Sequence, residues 1–361
     1  MRVLVVGCGA AFSTLDVETG YRDALADAGA DVRFYALGAR LDAARSWLTQ
    51  VWRKRKDPTE SPPGWPDAVY RASIEALEMA LRFEVDWVLA ISGQLFHPDA
   101  IGLMRRAGLK TAVILTESPY EDAKQARVAN LVDMCWTTER TSVERLSLAN
   151  PHVKYLRHAY DPSRHAVFEP PLADVPSHDV VFVGTGFAER IDVLEAIDWQ
   201  GIDLGLYGNW TLLGSRSKLR TFLRRGAVSN DRAVALYRRA RIGLNLHRSS
   251  VSYGRKSPRV AIAESLNPRA YELAACGIFQ VSDWRAEVEE LFGSSIATFD
   301  RSEQLETVLR TYLQDSPSRR RLAREARGHV GPHTFAARAA QVLADLEACS
   351  NAFERPIRRG A

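Results

Sequence analysis

The sequence predicts an α/β protein with two doubly wound domains. Short apolar runs rich in Val, Ile and Leu alternate with longer amphipathic stretches, which is the pattern of buried parallel strands joined by helices. The alternation stops in a proline-rich stretch near the middle of the chain and then restarts. A length of 361 residues also suits two or three domains of ordinary size better than one.

Six strands with intervening helices are predicted in the first half. We place the strands at Arg2–Val6, Asp31–Ala36, Asp86–Ile91, Thr111–Thr116, Met134–Thr137 and Val153–Leu156. These elements form a first domain over residues 1–160. The segment 161–176 contains four prolines and cannot be one regular element, because proline lacks the amide donor that helices and sheets use. We predict an interdomain linker there.

The second half repeats the strand and helix alternation over residues 177–335. Its predicted strands are Val180–Val183, Gly205–Tyr207, Ile242–Leu246, Ile278–Val281 and Ile296–Phe299. A last helix is expected at about Thr334–Cys349, so that the segment 336–361 packs back on the first domain. Two open parallel sheets facing one another place a ligand cleft at the carboxyl ends of their strands.

Composition and cysteine spacing exclude several classes of protein. With 46% hydrophobic and 25% charged residues the chain has the composition of an ordinary globular protein. It has no apolar run of the roughly 18 residues that a membrane span needs, and no signal-peptide core, so we expect a cytoplasmic protein without a membrane span. Its four cysteines are far apart and suggest neither a zinc site nor a disulfide framework.

The most informative segment runs from Glu264 to Gly277. Asn267 is a good N-cap, Pro268 suits a first helical turn, and Gly277 can end the helix in the left-handed conformation. The free amides at this helix N-terminus, with Arg269 beside them, make a candidate cradle for a diphosphate. Glu264, before the helix, and Glu272, within it, are able to accept hydrogen bonds from sugar hydroxyls. The alternative is a capped surface helix with two solvated glutamates.

The spacing of Glu264 and Glu272, followed by two alanines and Gly277, resembles the E-x7-E signature of retaining GT-B glycosyltransferases. The wider sequence resembles the CgeB-like glycosyltransferase family over about residues 130–345, through motifs that occur in one order. These motifs are Gly184–Arg190, Tyr207–Trp210, Leu244–His247, Asn267–Glu272, Phe279–Asp283, Glu290–Phe292 and His333–Arg338. The resemblance implies a GT-B-like fold, in which two Rossmann-like domains face one another across a cleft.

The resemblance also implies roles for residues of the donor half. Glu272 would bind the ribose of the nucleotide, and Glu264 would approach the donor sugar. Arg190, after the glycine turn, would stabilise the charge that builds on the leaving diphosphate. The full set of donor-site candidates is Gly184, Gly186, Arg190, Tyr207, Asn245, Lys256, Asn267, Arg269 and Glu272.

Acceptor-side candidates lie mainly in loops that follow strands of the first domain. Gly7 and Gly9 form a tight turn, but Phe12 replaces the third glycine of a dinucleotide fingerprint, which argues against a nicotinamide cofactor. Glu117 is the candidate for contacting or deprotonating the acceptor hydroxyl, and His97 is a second one. Either is as readily a solvated loop side chain, and in a retaining enzyme the leaving phosphate can itself take the proton.

Basic residues cluster in two segments. Thirteen Lys and Arg stand against one Asp between Gly208 and Val260, all of them within 216–259, and Arg53–Lys56 form a second cluster near three tryptophans. Such segments suit a polyanion, and Arg255 and Arg259 would contact an acceptor there. A solvated basic face that serves only the donor diphosphate has equal weight.

The leading hypothesis is a transferase that moves a sugar, with retention, from a UDP-sugar to a hydroxymethylated base in phage DNA. The alternative acceptor is a cell-surface or spore-coat glycan or protein. A sugar-nucleotide epimerase of the same fold and a non-catalytic nucleic-acid-binding protein remain as other classes. No metal or cofactor is expected, because the chain lacks a D-x-D motif and Gly331 and Pro332 interrupt the pair His329 and His333.

Overall fold

The computed structural model describes residues 1–9, 12–55, 59–166, 174–224, 228–260 and 262–354. The chain divides into two compact units. The first comprises residues 1–156 together with the C-terminal segment from Phe335, and the second comprises Arg157–Thr334.

Strands and helices alternate along both units. The strands are β1 (Arg2–Val6), β2 (Asp31–Tyr35), β3 (Trp87–Ile91), β4 (Lys110–Leu115), β5 (Met134–Thr137), β6 (Val153–Tyr155), β7 (Val180–Val183), β8 (Leu204–Tyr207), β9 (Ile242–Asn245), β10 (Gln280–Asp283) and β11 (Ala297–Phe299). The helices are α1 (Phe12–Asp27), α2 (Leu37–Arg55), α3 (Trp65–Arg82), α4 (Pro98–Arg106), α5 (Asp122–Ala129), α6 (Val143–Ser147), α7 (Pro162–His165), α8 (Ala188–Glu195), α9 (Asn230–Arg239), α10 (Pro268–Ala275), α11 (Ala286–Phe292), α12 (Ser302–Gln314), α13 (Ser316–Val330) and α14 (Phe335–Glu354). Short 3-10 turns lie at Arg140–Ser142, Lys218–Phe222 and Gly293–Ser295.

The first unit contains a six-stranded sheet of order β2-β1-β3-β4-β5-β6 in which every pair of neighbours is parallel. All five residues of β3 are buried, because helices cover both faces of a parallel sheet. The six predicted strands are confirmed to within one residue at each end. Continuous apolar runs therefore identified the buried strands reliably.

The C-terminal helix α14 belongs to the first unit and packs against α1. The ring of Phe335 meets Tyr21 edge-on, with ring centroids 5.4 Å apart. The indole Nε1 of Trp136 donates to Asp345 at 2.9 Å, and that of Trp87 donates to Ser350 at 3.1 Å. Side chains from two buried strands of the first unit are thus hydrogen bonded to a helix that lies 209 and 263 residues further along the chain.

The second unit contains a five-stranded parallel sheet of order β11-β10-β9-β7-β8. One predicted strand was wrong: Ile278–Val281 is displaced by two residues from β10. Gly277, with φ +70°, ends α10, and Ile278 and Phe279 are buried in the connection that follows it. The apolar residues therefore mark the entry into the core, and the hydrogen-bonded ladder continues to Asp283.

The predicted linker 161–176 begins with an ordered turn. Asp161 caps α7 by accepting a hydrogen bond from the Ser163 amide at 2.8 Å. Residues 167–173 of the linker lie outside the described part of the chain. Among the described residues, every helix is too short or too polar to cross a bilayer.

Candidate active site

The glycine turn after β7 lies against the turn after β8 in the second unit. The Gly184 amide donates to the Tyr207 carbonyl at 2.9 Å. A Cβ atom on Gly184 would stand 2.3 Å from Nη2 of Arg269, and one on Gly186 would stand 2.4 Å from the Trp210 ring. Gly186 therefore needs glycine, because the Trp210 ring is buried, and a side chain at position 184 would displace the Arg269 guanidinium.

Three predicted donor-site residues form one hydrogen-bonded group at the N-terminus of α10. Asn267 caps the helix, accepting from the Ala270 amide at 3.1 Å, and its Nδ2 donates to Oδ1 of the fully buried Asn245 at 2.9 Å. Arg269 donates to the Val183 carbonyl at 2.9 Å and to the same Asn245 oxygen at 3.4 Å. This group ties the ends of β7 and β9 to the start of α10. The predicted capping by Asn267 is confirmed.

Two guanidinium groups flank this turn. Cζ of Arg269 lies 4.7 Å and Cζ of Arg190 lies 5.5 Å from the ring centroid of Phe182, within cation–π range. Arg190 is buried and donates to the Thr185 carbonyl at 2.9 Å. Two positive charges and a helix N-terminus therefore meet at one edge of the sheet, an arrangement that favours anions.

Glu272 lies one turn further along α10. Burial raises the pKa of its carboxyl, while the positive charges of Arg269 and Arg164 oppose that rise. A ring nitrogen of His165, in α7, lies within 4.8 Å of a Glu272 carboxylate oxygen. Burial lowers the pKa of His165 to about 4, so its ring is neutral at physiological pH. A carboxyl and a neutral imidazole from two different helices therefore lie near one another in the second unit.

Glu264 lies in the loop before α10, as predicted, and a buried carboxylate holds this loop. Glu287 of α11 accepts from the Leu266 amide at 2.7 Å, and its own amide donates to the Glu264 carbonyl at 3.2 Å. Its second oxygen accepts from Nε of Arg157 at 2.7 Å. Sequence analysis missed Glu287, because nothing local distinguishes it from the exposed glutamates of the same helix.

A second group missed by sequence analysis stands at the ends of β9 and β10. Asp283 is the last residue of β10, and its Oδ1 accepts from the His247 backbone amide at 2.8 Å and from Nδ1 of the same residue at 2.9 Å. Burial lowers the pKa of His247, and Asp283 opposes that effect. Burial disfavours the charged form of Asp283, but His247 and Arg285 outweigh it and keep its pKa below the usual value. Both residues lie in motifs that carry the family resemblance, so the sequence did contain a signal for them.

The side chains of the remaining donor-half candidates have other partners or are exposed. The hydroxyl of Tyr207 is 2.8 Å from Nε2 of His178, whose Nδ1 is 2.8 Å from Asp203. Arg259 pairs with Asp192 at 3.2 Å, and Arg255 donates to the Leu212 carbonyl at 2.8 Å. Lys256 is exposed in the same segment.

The glycine turn of the first unit holds a carboxylate. Oε2 of Glu18, from α1, accepts from the Cys8 amide at 2.8 Å, and a Cβ atom on Gly7 would stand 2.7 Å from that oxygen. Gly9 has φ +81° and requires glycine for its backbone conformation. The amide between the two predicted acceptor-loop glycines is therefore already bonded inside the unit.

The two candidate bases of the first unit have different surroundings. His97 caps α4, its Nδ1 accepting from the Asp99 amide at 3.2 Å, and its ring meets Tyr70 edge-on with centroids 5.1 Å apart. Glu117 is partly exposed in the loop after β4, and its amide donates to Gln125 at 3.2 Å. The two candidates lie on separate loops, and the His97 ring is already engaged as a helix cap.

Comparison with known proteins connects this geometry to an enzyme class. Residues 190–344 match the family model described as Glycosyl transferase-like, and no curated protein sequence matches the chain. HepE from Anabaena, in complex with UDP-glucose, is 14% identical over 96% of this chain and 100% of that one, with a TM-score of 0.62. Sucrose-phosphate synthase from Thermosynechococcus elongatus is 13% identical over 97% and 99%, with a TM-score of 0.63. A glycosyltransferase from Rickettsia africae is 9% identical over 97% and 98%, with a TM-score of 0.61.

The chain has the GT-B fold. Together with the family match, this fold supports a glycosyltransferase, and the predicted fold class and enzyme class are confirmed. The matched segment begins at Arg190 and contains both glutamates of the E-x7-E spacing.

Much of the positive charge of the basic segment 216–259 is paired with acidic side chains in the folded unit. Several of its arginines pair with acidic residues from elsewhere in the second unit: Arg224 with Asp203 at 3.7 Å, Arg232 with Asp174 at 3.1 Å, Arg241 with Asp179 at 2.8 Å and Arg259 with Asp192 at 3.2 Å. Arg225 of this segment and Lys56 of the other lie outside the described residues. Arg53, Lys54 and Arg55 are exposed at the end of α2.

Proposed function

We propose that this glycosyltransferase transfers a sugar from a UDP-sugar, with retention of configuration, and that the nucleotide binds at the carboxyl edge of the second sheet. The observation that carries the proposal is the pair Arg190 and Arg269 at the Gly184 turn and the capped N-terminus of α10. A nucleoside diphosphate carries the anionic group that such a site prefers. HepE, a protein of the same fold, is described in complex with UDP-glucose, which supports UDP as the nucleotide.

Each donor-site residue then has a chemical task. The two arginines at the N-terminus of α10 neutralise the diphosphate, whose charge grows as the bond to the sugar breaks, so no metal is proposed. Glu272 accepts hydrogen bonds from the ribose hydroxyls, and Glu264 approaches the sugar. In a retaining reaction a diphosphate oxygen can take the proton of the acceptor hydroxyl, and Glu117 is the proposed contact for that hydroxyl.

For the acceptor, the leading proposal remains a hydroxymethylated base in DNA, acted on in the cytoplasm. Its support is the exposed Arg53–Arg55 turn of α2 together with the exposed Trp47 and Trp65. The internal pairing of arginines in 216–259 reduces the charge available to a polyanion there. A glycan or protein acceptor, which suits the CgeB-like resemblance, is therefore the direct rival.

The experiment is mass spectrometry of nucleosides from hydroxymethylated and unmodified DNA, each incubated with the protein and a panel of nucleotide sugars. A hexose mass gain on hydroxymethylated DNA only, lost in Glu272→Gln and retained in the exposed control Glu325→Gln, supports donor, acceptor and site together. Turnover of the nucleotide sugar without a DNA product would leave the transferase and refute the DNA acceptor.

The same incubation without acceptor separates the remaining classes. Conversion of the UDP-sugar to its epimer would identify an epimerase. DNA binding that is unchanged in Glu264→Ala and Glu272→Ala, with no turnover of any nucleotide sugar, would identify a non-catalytic nucleic-acid-binding protein.

A further inference from the structure

His247 has one nitrogen that its own fold does not use. Its Nδ1 and its backbone amide both contact Oδ1 of Asp283, at 2.9 and 2.8 Å. Its Nε2 is buried and has no hydrogen-bond partner among the described residues, and the whole residue is only 6% exposed. A buried polar atom without a hydrogen-bond partner is energetically unfavourable. Its presence near a strand end therefore suggests that a ligand supplies the missing hydrogen bond.

The hydrogen bond to Asp283 determines what Nε2 can do. A carboxylate only accepts hydrogen bonds, so Nδ1 carries the ring proton and donates a hydrogen bond to Asp283. In the neutral ring Nε2 is then a bare acceptor. Burial lowers the pKa of His247, Asp283 opposes this effect, and the charges of Arg285 and Arg190 lower the pKa further, so the net shift favours the neutral ring. An acceptor of this kind matches a hydroxyl group and does not match a phosphate oxygen.

His247 lies near the residues that we assign to the diphosphate. It follows β9 by two residues, next to the buried Asn245 that binds Arg269 and Asn267. Arg190, which we assign to the diphosphate, is close enough for its charge to act on the His247 ring. In a nucleotide sugar, the hydroxyls that adjoin the diphosphate on the side away from the nucleoside belong to the sugar.

We propose that Nε2 of His247 accepts a hydrogen bond from a hydroxyl of the donor sugar, and that Asp283 is the positioning residue that fixes the ring and its tautomer. This inference rests on the proposed function, because it names a further contact of the same donor site. It assigns His247 to the sugar and leaves the nucleotide to Glu272 and the arginines.

Calorimetric titration with UDP and with UDP-glucose, UDP-galactose and UDP-N-acetylglucosamine separates the two parts of the donor. The variant His247→Asn keeps an amide in place of Nδ1 and loses Nε2. We expect it to bind UDP within about twofold of the wild type and to bind the preferred UDP-sugar roughly fivefold to tenfold more weakly, as for one lost hydrogen bond. His247→Gln, whose amide reaches further, should recover part of this loss.

Asp283→Asn tests the positioning role. We expect the same selective loss for the UDP-sugar, and no further loss in the double variant with His247→Asn, because the two residues act as one unit. Nitrogen NMR of labelled histidine should show a bare Nε2 on His247 in the wild type and a changed protonation pattern in Asp283→Asn. A purely structural role for Asp283 would leave the ratio of UDP to UDP-sugar affinity unchanged.

The outcomes distinguish this inference from the function on which it rests. Equal weakening of UDP and UDP-sugar in His247→Asn, or no weakening of either, in a variant that keeps its thermal midpoint, would refute the sugar contact while leaving the donor site intact. Failure of the wild-type protein to bind UDP or any UDP-sugar would refute the proposed function, and this inference with it.

Discussion

The two units carry the same element, a glycine turn after a first parallel strand, with opposite charge around it. In the second unit Arg269 lies so close to the turn that a Cβ atom on Gly184 would stand 2.3 Å from its guanidinium. In the first unit Oε2 of Glu18 accepts from the Cys8 amide at 2.8 Å. The comparison teaches that a glycine turn by itself is not an anion site. Side chains from other elements decide whether the turn lies beside a guanidinium or beside a carboxylate.

The largest effect is expected from removing the cation of the second turn. Arg269→Ala should weaken UDP binding by roughly two orders of magnitude, because it removes a partly buried charge that we assign to the diphosphate. Isothermal calorimetry measures this. Arg310→Ala removes a guanidinium that pairs with Glu306 at 2.9 Å and serves as the control with unchanged affinity. Equal UDP affinity in both variants would show that the diphosphate binds elsewhere.

A smaller effect is expected from filling the two turns in parallel. Gly184→Ala pushes the Arg269 guanidinium away and should lower UDP affinity about tenfold. Gly7→Ala presses on the Glu18 carboxylate, 2.7 Å from the new Cβ atom, and should lower the free energy of unfolding by about 1–3 kcal/mol while UDP affinity stays unchanged. Titration and urea denaturation of both variants compare the turns directly. A loss of UDP affinity in Gly7→Ala would mean that the first turn also serves the nucleotide.

The carboxylate of the first turn should matter for stability alone. Glu18→Gln keeps an oxygen for the Cys8 amide and removes the charge, so we expect a loss of about 1 kcal/mol in the free energy of unfolding. Urea denaturation measures this loss. UDP affinity should stay within twofold of the wild type, and tighter UDP binding would contradict the assignment of the nucleotide to the second unit.

The smallest effect is a pH dependence at Glu272. Burial raises the pKa of its carboxyl in the folded protein, so the unfolded chain ionises first as pH rises. This carboxyl therefore destabilises the fold progressively above its unfolded pKa of about 4.3. Relative to the wild type, Glu272→Gln should gain stability between pH 4 and pH 7, as measured by thermal unfolding without nucleotide. If the difference in stability between Glu272→Gln and the wild type stayed constant over that pH range, the carboxyl would have an ordinary pKa in the folded state.

Local signals in the sequence singled out the residues that the structure groups at the N-terminus of α10. The E-x7-E resemblance singled out Glu264 and Glu272, and capping rules placed Asn267 at the start of α10 and Gly277 beyond its end. The hydrogen bond between Asn267 and Asn245 joins two motifs that are separate in the sequence. Both residues were predicted, but their contact across 22 positions was not.

Other features could not be predicted because they depend on partners that are distant in sequence. The bond between His247 and Asp283 spans 36 positions, and that between Leu266 and Glu287 spans 21. The excess of basic residues in 216–259 suggested a polyanion surface. Acidic residues from outside this segment pair with several of these basic residues. The charge counted along the segment therefore overstated the net positive charge at its surface.

The sequence by itself determined the alternation of strands and helices, the two α/β units and the helix cap at Asn267, because apolar periodicity, proline and glycine act within a few residues. Only the tertiary structure decided where β10 ends, which glycine turn is surrounded by cations, and which buried carboxylates hold the site loops. The physical reason is that hydrogen bonds, burial and charge at the site are set by which strand ends the chain path brings together.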